Sequence, residues 1–135
     1  MEFRRHPERV LSHLVTIPFI YGMIVVLVIA DISFEIYHRI CFPIYGIPYL
    51  QRSRYIKIDR HRLSYLNILE KFNCLYCGYA NGLLHYMSVI AAETESYWCG
   101  IKHEKDSQYI PAVHEKNFLP YGDEKAYRKF LQRER

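Results

Sequence analysis

Seventeen consecutive residues without a charge, Leu14–Ala30 (LVTIPFIYGMIVVLVIA), constrain this chain more than any other stretch. As a helix rising 1.5 Å per residue the run is about 26 Å long, a little short of a hydrocarbon core about 30 Å thick. Extending it to Ile36 closes the gap but takes in Asp31 and Glu35. We read one transmembrane helix over residues 14–36, after a polar start (1–13) that carries Arg4, Arg5 and Arg9. Pro18 falls in the first turns, where a lost backbone donor is tolerated, or marks a kink. The alternatives are a buried core helix or a hairpin dipping into one leaflet. A cleaved signal peptide fits less well, because Asp31 follows Ala30 and no small-x-small site is present. Asp31 and Glu35, four apart, share one helical face. A carboxylate deep in lipid is costly, so these two are expected to reach headgroup water at the helix end, or to pair with a buried cation if a partner helix covers them.

The next segment, 37–58, reads as an interfacial and basic linker. Pro43 and Pro48 interrupt helix, and Gly46 permits a turn. Tyr37, Phe42, Tyr45 and Tyr49 suit an interfacial aromatic belt, in a chain whose 13 tyrosines supply most of its 16% aromatic share. Cys41 reads as a small apolar filler. The run QRSRYIKIDRHR (51–62) is basic, and with Arg39 it places six cations after the span against three before it. That bias puts the C-terminal part on the cytoplasmic side of the inner membrane, in a single-pass topology. The net charge of +4 suits anionic headgroups. No nucleic-acid-binding motif is present, so the expected partners are the lipid bilayer and other membrane subunits, with no nucleic acid.

Residues 59–103 carry two helical patterns. Asp59 is a fitting N-cap, and Leu63, Leu66, Leu69 and Phe72 recur every third residue. CLYCGYANG, with Gly78 and the Asn81-Gly82 pair, reads as a turn. A second helix is predicted over 82–97, with Leu83, Met87, Ile90, Ala91 and Thr94 on one side. The fold class is therefore all-α: one transmembrane helix, a small antiparallel helical hairpin at 59–103, and an irregular charged tail at 104–135. In that tail Pro111 and Pro120 break the chain, and Asp123 caps a short helix to about Gln132.

Chemistry concentrates in the hairpin. Cys74 and Cys77 form a C-x2-C pair, and Cys99 and His103 a C-x3-H pair, the ligand types and spacings of a tetrahedral zinc site; iron is not excluded. A straight helix over 82–97 would hold its ends about 22 Å apart. One site using all four groups then needs a broken helix, a second chain, or a partition in which Cys99 and His103 join His61 instead. A thiol redox pair, with Cys77 near a helix N-terminus, and cysteines that merely pack are the other readings. The chain has no phosphate-binding loop, nucleophile elbow or haem-attachment motif, and Glu70, Glu93 and Glu95 lack the Glu-x-x-His spacing of a di-iron bundle. No enzyme class is assigned, and the balance leans away from catalysis.

Asn73, Cys74, Tyr76, Cys77, Gly78, Tyr79, Asn81 and Gly82, followed by Tyr97, Trp98, Cys99, Ile101, Lys102 and His103, form two motifs. With the upstream CFPIYGIP and DRHRLSYLN, they resemble a family of small uncharacterised bacterial membrane proteins carrying NCxYCGYxNG and YWCPIKH runs. The resemblance covers roughly Leu14–His103. It implies a membrane protein and brings no activity with it. Gly100 stands where the family motif has proline, which puts the local backbone in question rather than the ligand set. Together these readings predict a membrane-anchored, non-enzymatic accessory or interaction protein with a structural zinc-like site at Cys74, Cys77, Cys99 and His103. The alternative is a membrane-tethered thiol redox or metal-transfer protein working through Cys74 and Cys77.

Overall fold

A computed structural model describes residues 9–133. The polar start at 1–8, including Arg4 and Arg5, lies outside the described residues. Among the described residues the architecture is all-α, with three α-helices: α1 (Val10–Tyr45), α2 (Ile68–Trp98) and α3 (Glu124–Arg133). Short 3-10 turns lie at Arg52–Arg54, Arg60–Arg62 and Val113–Asn117. The chain divides into two compact units, Met1–Met87 and Ser88–Arg135.

In the first unit, α1 is long and apolar enough to cross a membrane by length and composition. Leu14, Val15, Phe19, Val25, Val26 and Ile29 are all exposed, so the apolar run, Leu27 apart, stays outside the protein's own core. The helix runs past the predicted end at Ile36 to Tyr45 and closes on Gly46, a left-handed residue whose N–H bonds back to the last turn. Pro43 sits in that last turn, where it displaces a single hydrogen bond. Phe42, expected in an interfacial belt, is fully buried. It packs edge-on against His38, with ring centroids 4.4 Å apart.

Helix α2 corrects the internal plan of residues 59–103. The stretch Cys74–Gly82, predicted as the hairpin turn, is helical throughout. A buried stripe begins in its last turn at Ala80 and continues through Leu83, Tyr86 and Ile90. Asn81 spends its side chain inside the helix, donating to the Cys77 carbonyl at 2.9 Å. Gly82 serves close packing: a Cβ there would lie 2.8 Å from both the Ile56 Cα and the Tyr55 carbonyl oxygen. The helix also starts later than Asp59, which precedes only the 3-10 turn at 60–62 and caps nothing with its side chain. The working cap is an Asn67/Glu70 box. Glu70 N–H donates to Asn67 Oδ1 at 2.9 Å, and Asn67 N–H donates to Glu70 Oε2 at 3.0 Å.

The paired helices are therefore α1 and the first half of α2. Tyr21 donates to Asn73 Oδ1 (2.7 Å), Tyr79 to Asp31 Oδ2 (2.8 Å), and Tyr86 contacts His38 Nδ1 (2.9 Å). Residue numbers rise together along both helices, so the two run side by side in the same sense. The linker must return along them, and it does so over Gly82 and Gly78.

In the second unit, α2 closes on Gly100, whose φ of 48° is left-handed. Proline, fixed near φ of −65°, does not fit this backbone, so the Gly100 departure is matched by a helix terminus that only a residue free to take positive φ forms without strain. The tail folds back through a bridge between Ile101 and Leu119. Asp123 Oδ1 accepts the Ala126 N–H at 2.9 Å at the start of α3.

Candidate functional site

The densest polar cluster lies where α1 leaves its apolar run. Asp31 and Glu35, one turn apart on α1, face the returning linker and α2. The covering cation comes from the linker: Arg52 grips Asp31 with both guanidinium nitrogens, Nη1 on Oδ1 and Nη2 on Oδ2 at 2.6 Å. Tyr79 donates to the same carboxylate. Glu35 Oε1 accepts from Arg39 Nε at 2.7 Å and from Tyr49 at 3.1 Å, and Oε2 accepts from Tyr86 at 3.3 Å. Two carboxylates thus meet two guanidiniums, and every carboxylate oxygen holds a donor. A planar fork answering a carboxylate is the geometry that favours arginine over lysine.

His38 completes the cluster and is fully buried. The Leu50 N–H donates to its Nε2 at 3.1 Å, so that nitrogen carries no proton. The proton sits on Nδ1 and points to Tyr86 Oη at 2.9 Å, leaving the Tyr86 hydroxyl to donate to Glu35. The imidazole stacks on Tyr49, 4.2 Å between centroids. Around this centre, the Asp31 carboxylate raises the Arg52 pKa further above its ordinary range. Burial, with carboxylate neighbours, pushes the Tyr79 and Tyr86 phenols up. The carboxylate oxygens all have donors within the cluster, while Arg39 and Arg52 keep part of their guanidiniums open to the outside. What the arrangement does chemically is clasp: it ties the linker to both helices.

A smaller cluster lies in the second unit. Glu115 is buried and accepts from the Tyr109 hydroxyl at 2.7 Å and the Ala112 N–H at 2.9 Å. Those bonds hold its carboxyl below the usual range, the Tyr109 bond foremost, and the same bond pushes the Tyr109 phenol up to about 12. His114 Nε2 meets Glu95 at 2.7 Å.

The predicted ligands fall as two pairs. Cys74 is half-buried and Cys77 exposed, one turn apart on α2. Cys99, also exposed, follows the last residue of α2, with its N–H bonded to the Glu95 carbonyl at 2.8 Å. His103 is exposed and lies edge-on to Tyr109, 5.2 Å between centroids. From Cys77 to Cys99 the uninterrupted helix rises about 33 Å, against metal–sulfur bonds of about 2.3 Å. Among the described residues no group of three or more His, Cys, Asp or Glu side chains is gathered to hold a metal. Cys74 and Cys77 lie in the first compact unit, and Cys99 and His103 in the second. His61 keeps a buried Nδ1 without a hydrogen-bond partner. All four cysteines are free thiols. Positions three apart on a helix set Cβ atoms about 5–6 Å apart, beyond the roughly 3.5–4.5 Å of a disulfide, so closing Cys74–Cys77 would mean unwinding a turn.

Sequence reasoning found Asp31 and Glu35 and missed His38, Tyr49, Arg52, Tyr79 and Tyr86. Its one available signal was the need of two carboxylates for a cation. Compared with protein-family models, curated proteins and solved structures, the chain matches none.

Proposed function

We propose that this chain is a membrane-anchored interaction protein, an accessory subunit that α1 holds in the cytoplasmic membrane. The observation that carries the reading is the exposure of every α1 side chain from Leu11 to Met23, on all sides of the helix, with Leu27 the one buried residue of the uncharged run. Water-facing residues such as Phe19 and Ile29 have no stable place except in lipid or against another apolar surface. The Asp31–Arg52 clasp supports the same reading. It neutralises the carboxylates at the end of the apolar run and docks the basic linker where headgroups would lie. The excess of cations after the run supports an orientation with the C-terminal part on the cytoplasmic side. Partners are lipid and other membrane subunits rather than nucleic acid. The resemblance to small bacterial membrane proteins points the same way, and a clasp in which every carboxylate oxygen already holds a donor favours a holding role over catalysis. The test is fractionation of the full chain. It is expected in the membrane pellet, resistant to alkaline carbonate and released by detergent, with partners recovered by cross-linking before extraction. A full-length protein that stays monomeric in buffer without detergent sinks the reading.

A further inference from the structure

We infer that the start of α2, with the loop before it, dips into the same leaflet beside α1 as a re-entrant segment whose occupant is lipid. The inference rests on the anchoring proposed above and adds a second membrane-inserted element to it.

The argument begins with register. Tyr79 bonds Asp31, the first charged residue after the apolar run, and Asn73 bonds Tyr21, in the middle of that run. The direction of α2 is therefore back into the zone that α1 occupies in the bilayer. From Tyr79 to Ile68 is eleven residues, a rise of about 16 Å, roughly half of a 30 Å hydrocarbon core. The tip is apolar and uncovered: Tyr65 is 77% exposed, Ile68 73%, Leu69 75% and Phe72 59%. This patch is continuous in depth with the exposed face of α1 rather than isolated in a polar surface.

Charge follows the same profile. Leu63–Leu69 (LSYLNIL) carries none. Arg60 and Arg62 precede it on long stems that can carry their guanidiniums back to the headgroups. The next charges, Glu70 and Lys71, are adjacent and opposite in sign: Glu70 is 4% exposed with its carboxylate committed to the Asn67 N–H, and Lys71 is half-buried on a long stem that can carry its ammonium toward the headgroups. A helix that begins in lipid must satisfy its first donors without water, and the Asn67/Glu70 box satisfies two of the backbone N–H groups there, those of Asn67 and Glu70, from within.

The test is depth-resolved fluorescence of the full chain in vesicles of phosphatidylcholine and phosphatidylglycerol. The native tryptophan is removed (Trp98→Phe), and Phe72→Trp, Leu69→Trp or Phe19→Trp is introduced, all at exposed sites. Acyl-brominated lipids report burial in hydrocarbon and iodide reports water. The expected result is that tryptophan at 72 or 69 loses as large a share of its emission to brominated lipid as tryptophan at 19, and is shielded from iodide. Tryptophan at 19 quenched by brominated lipid while 72 and 69 respond only to iodide overturns the re-entrant segment and leaves the anchor standing. Positions 72 and 69 silent to both quenchers, with 19 quenched by lipid, mean that protein covers the patch, and also overturn it. Tryptophan at 19 quenched by iodide and not by lipid overturns the anchor, and the inference with it.

Discussion

Replacing Gly82 with alanine tests the packing of the linker on α2. The added Cβ would sit 2.8 Å from two backbone atoms, the Ile56 Cα and the Tyr55 carbonyl oxygen. Ordinary van der Waals contact begins near 3.4 Å, so the linker backbone must retreat by at least about 0.6 Å. Neither neighbour is the free end of a side chain, and the retreat pulls on Arg52, a few residues away in its grip on Asp31. Overpacking of this kind costs about 1–3 kcal/mol. Against it stands the gain of about 0.8–1 kcal/mol from alanine over glycine in a helix interior. The net expectation is a loss of about 1 kcal/mol, or a melting temperature roughly 3–5 °C lower in detergent micelles by circular dichroism. Gly78→Ala separates the two effects, since it shares the helix but meets only the Lys57 carbonyl at 3.1 Å. Propensity cancels between the two variants, and Gly82→Ala should be the less stable. If Gly82→Ala equals or exceeds wild type and Gly78→Ala in stability, the linker does not pack there and Asn81-Gly82 needs another explanation.

Removing Arg52 leaves Asp31 with Tyr79 alone. Arg52→Ala should cost about 1–2 kcal/mol, allowing for the solvent-facing side of the guanidinium, and Arg52→Lys should recover only part, because an ammonium cannot make the two-pronged contact. Equal stability of Arg52→Lys and wild type in the same melts would refute the fork as the stabilising geometry. Glu115 has its folded-state pKa lowered, so its contribution is complete above the ordinary carboxylate range and is lost as pH falls through the lowered value. Exchange protection at the Ala112 amide should therefore drop between about pH 5 and pH 3, and Tyr109→Phe should move the drop to higher pH. Protection that is flat across that range would count against it. A strong chelator should leave the helical circular dichroism and the thiol-labelling rates of Cys77 and Cys99 in a single chain unchanged. Unfolding or faster labelling on chelation would show a metal holding them.

How much of this was legible in the sequence varies with the range of the forces involved. The apolar run and the all-α class follow from local composition and periodicity, and both are present. The terminal helix after Asp123 is equally local. The internal plan of 59–103 misled because Asn-Gly and a C-x2-C pair are strong turn signals out of context. Here Gly78 and Gly82, four apart, line the groove that receives the linker backbone. The Asn67-x-x-Glu70 capping signature was readable and marked the true helix start better than Asp59. Arg52 as the partner of Asp31 was not readable, because the two are 21 residues apart and meet only after the linker reverses along a parallel helix pair. Phe42 looked interfacial because nothing local distinguishes a belt aromatic from a buried one.

On the anchoring proposed here, the clasp also answers the shortfall in length. The uncharged run alone spans about 26 Å and stops short of a hydrocarbon core of about 30 Å. Unpaired, Asp31 would hold the water boundary at its own Cα, because drawing a bare carboxylate deeper costs several kcal/mol. Paired with Arg52 and bonded by Tyr79, it presents no net charge, and Ile32 and Ile36 on α1 remain exposed beyond it. The same contact that docks the linker thus lets the boundary lie a turn further along α1. Breaking it should do more than loosen a loop. In vesicles, a tryptophan at Ile36 (Ile36→Trp) should shift its emission to the red when Arg52→Ala is added. An unchanged emission maximum would show that the clasp fixes the linker without setting the depth of the helix.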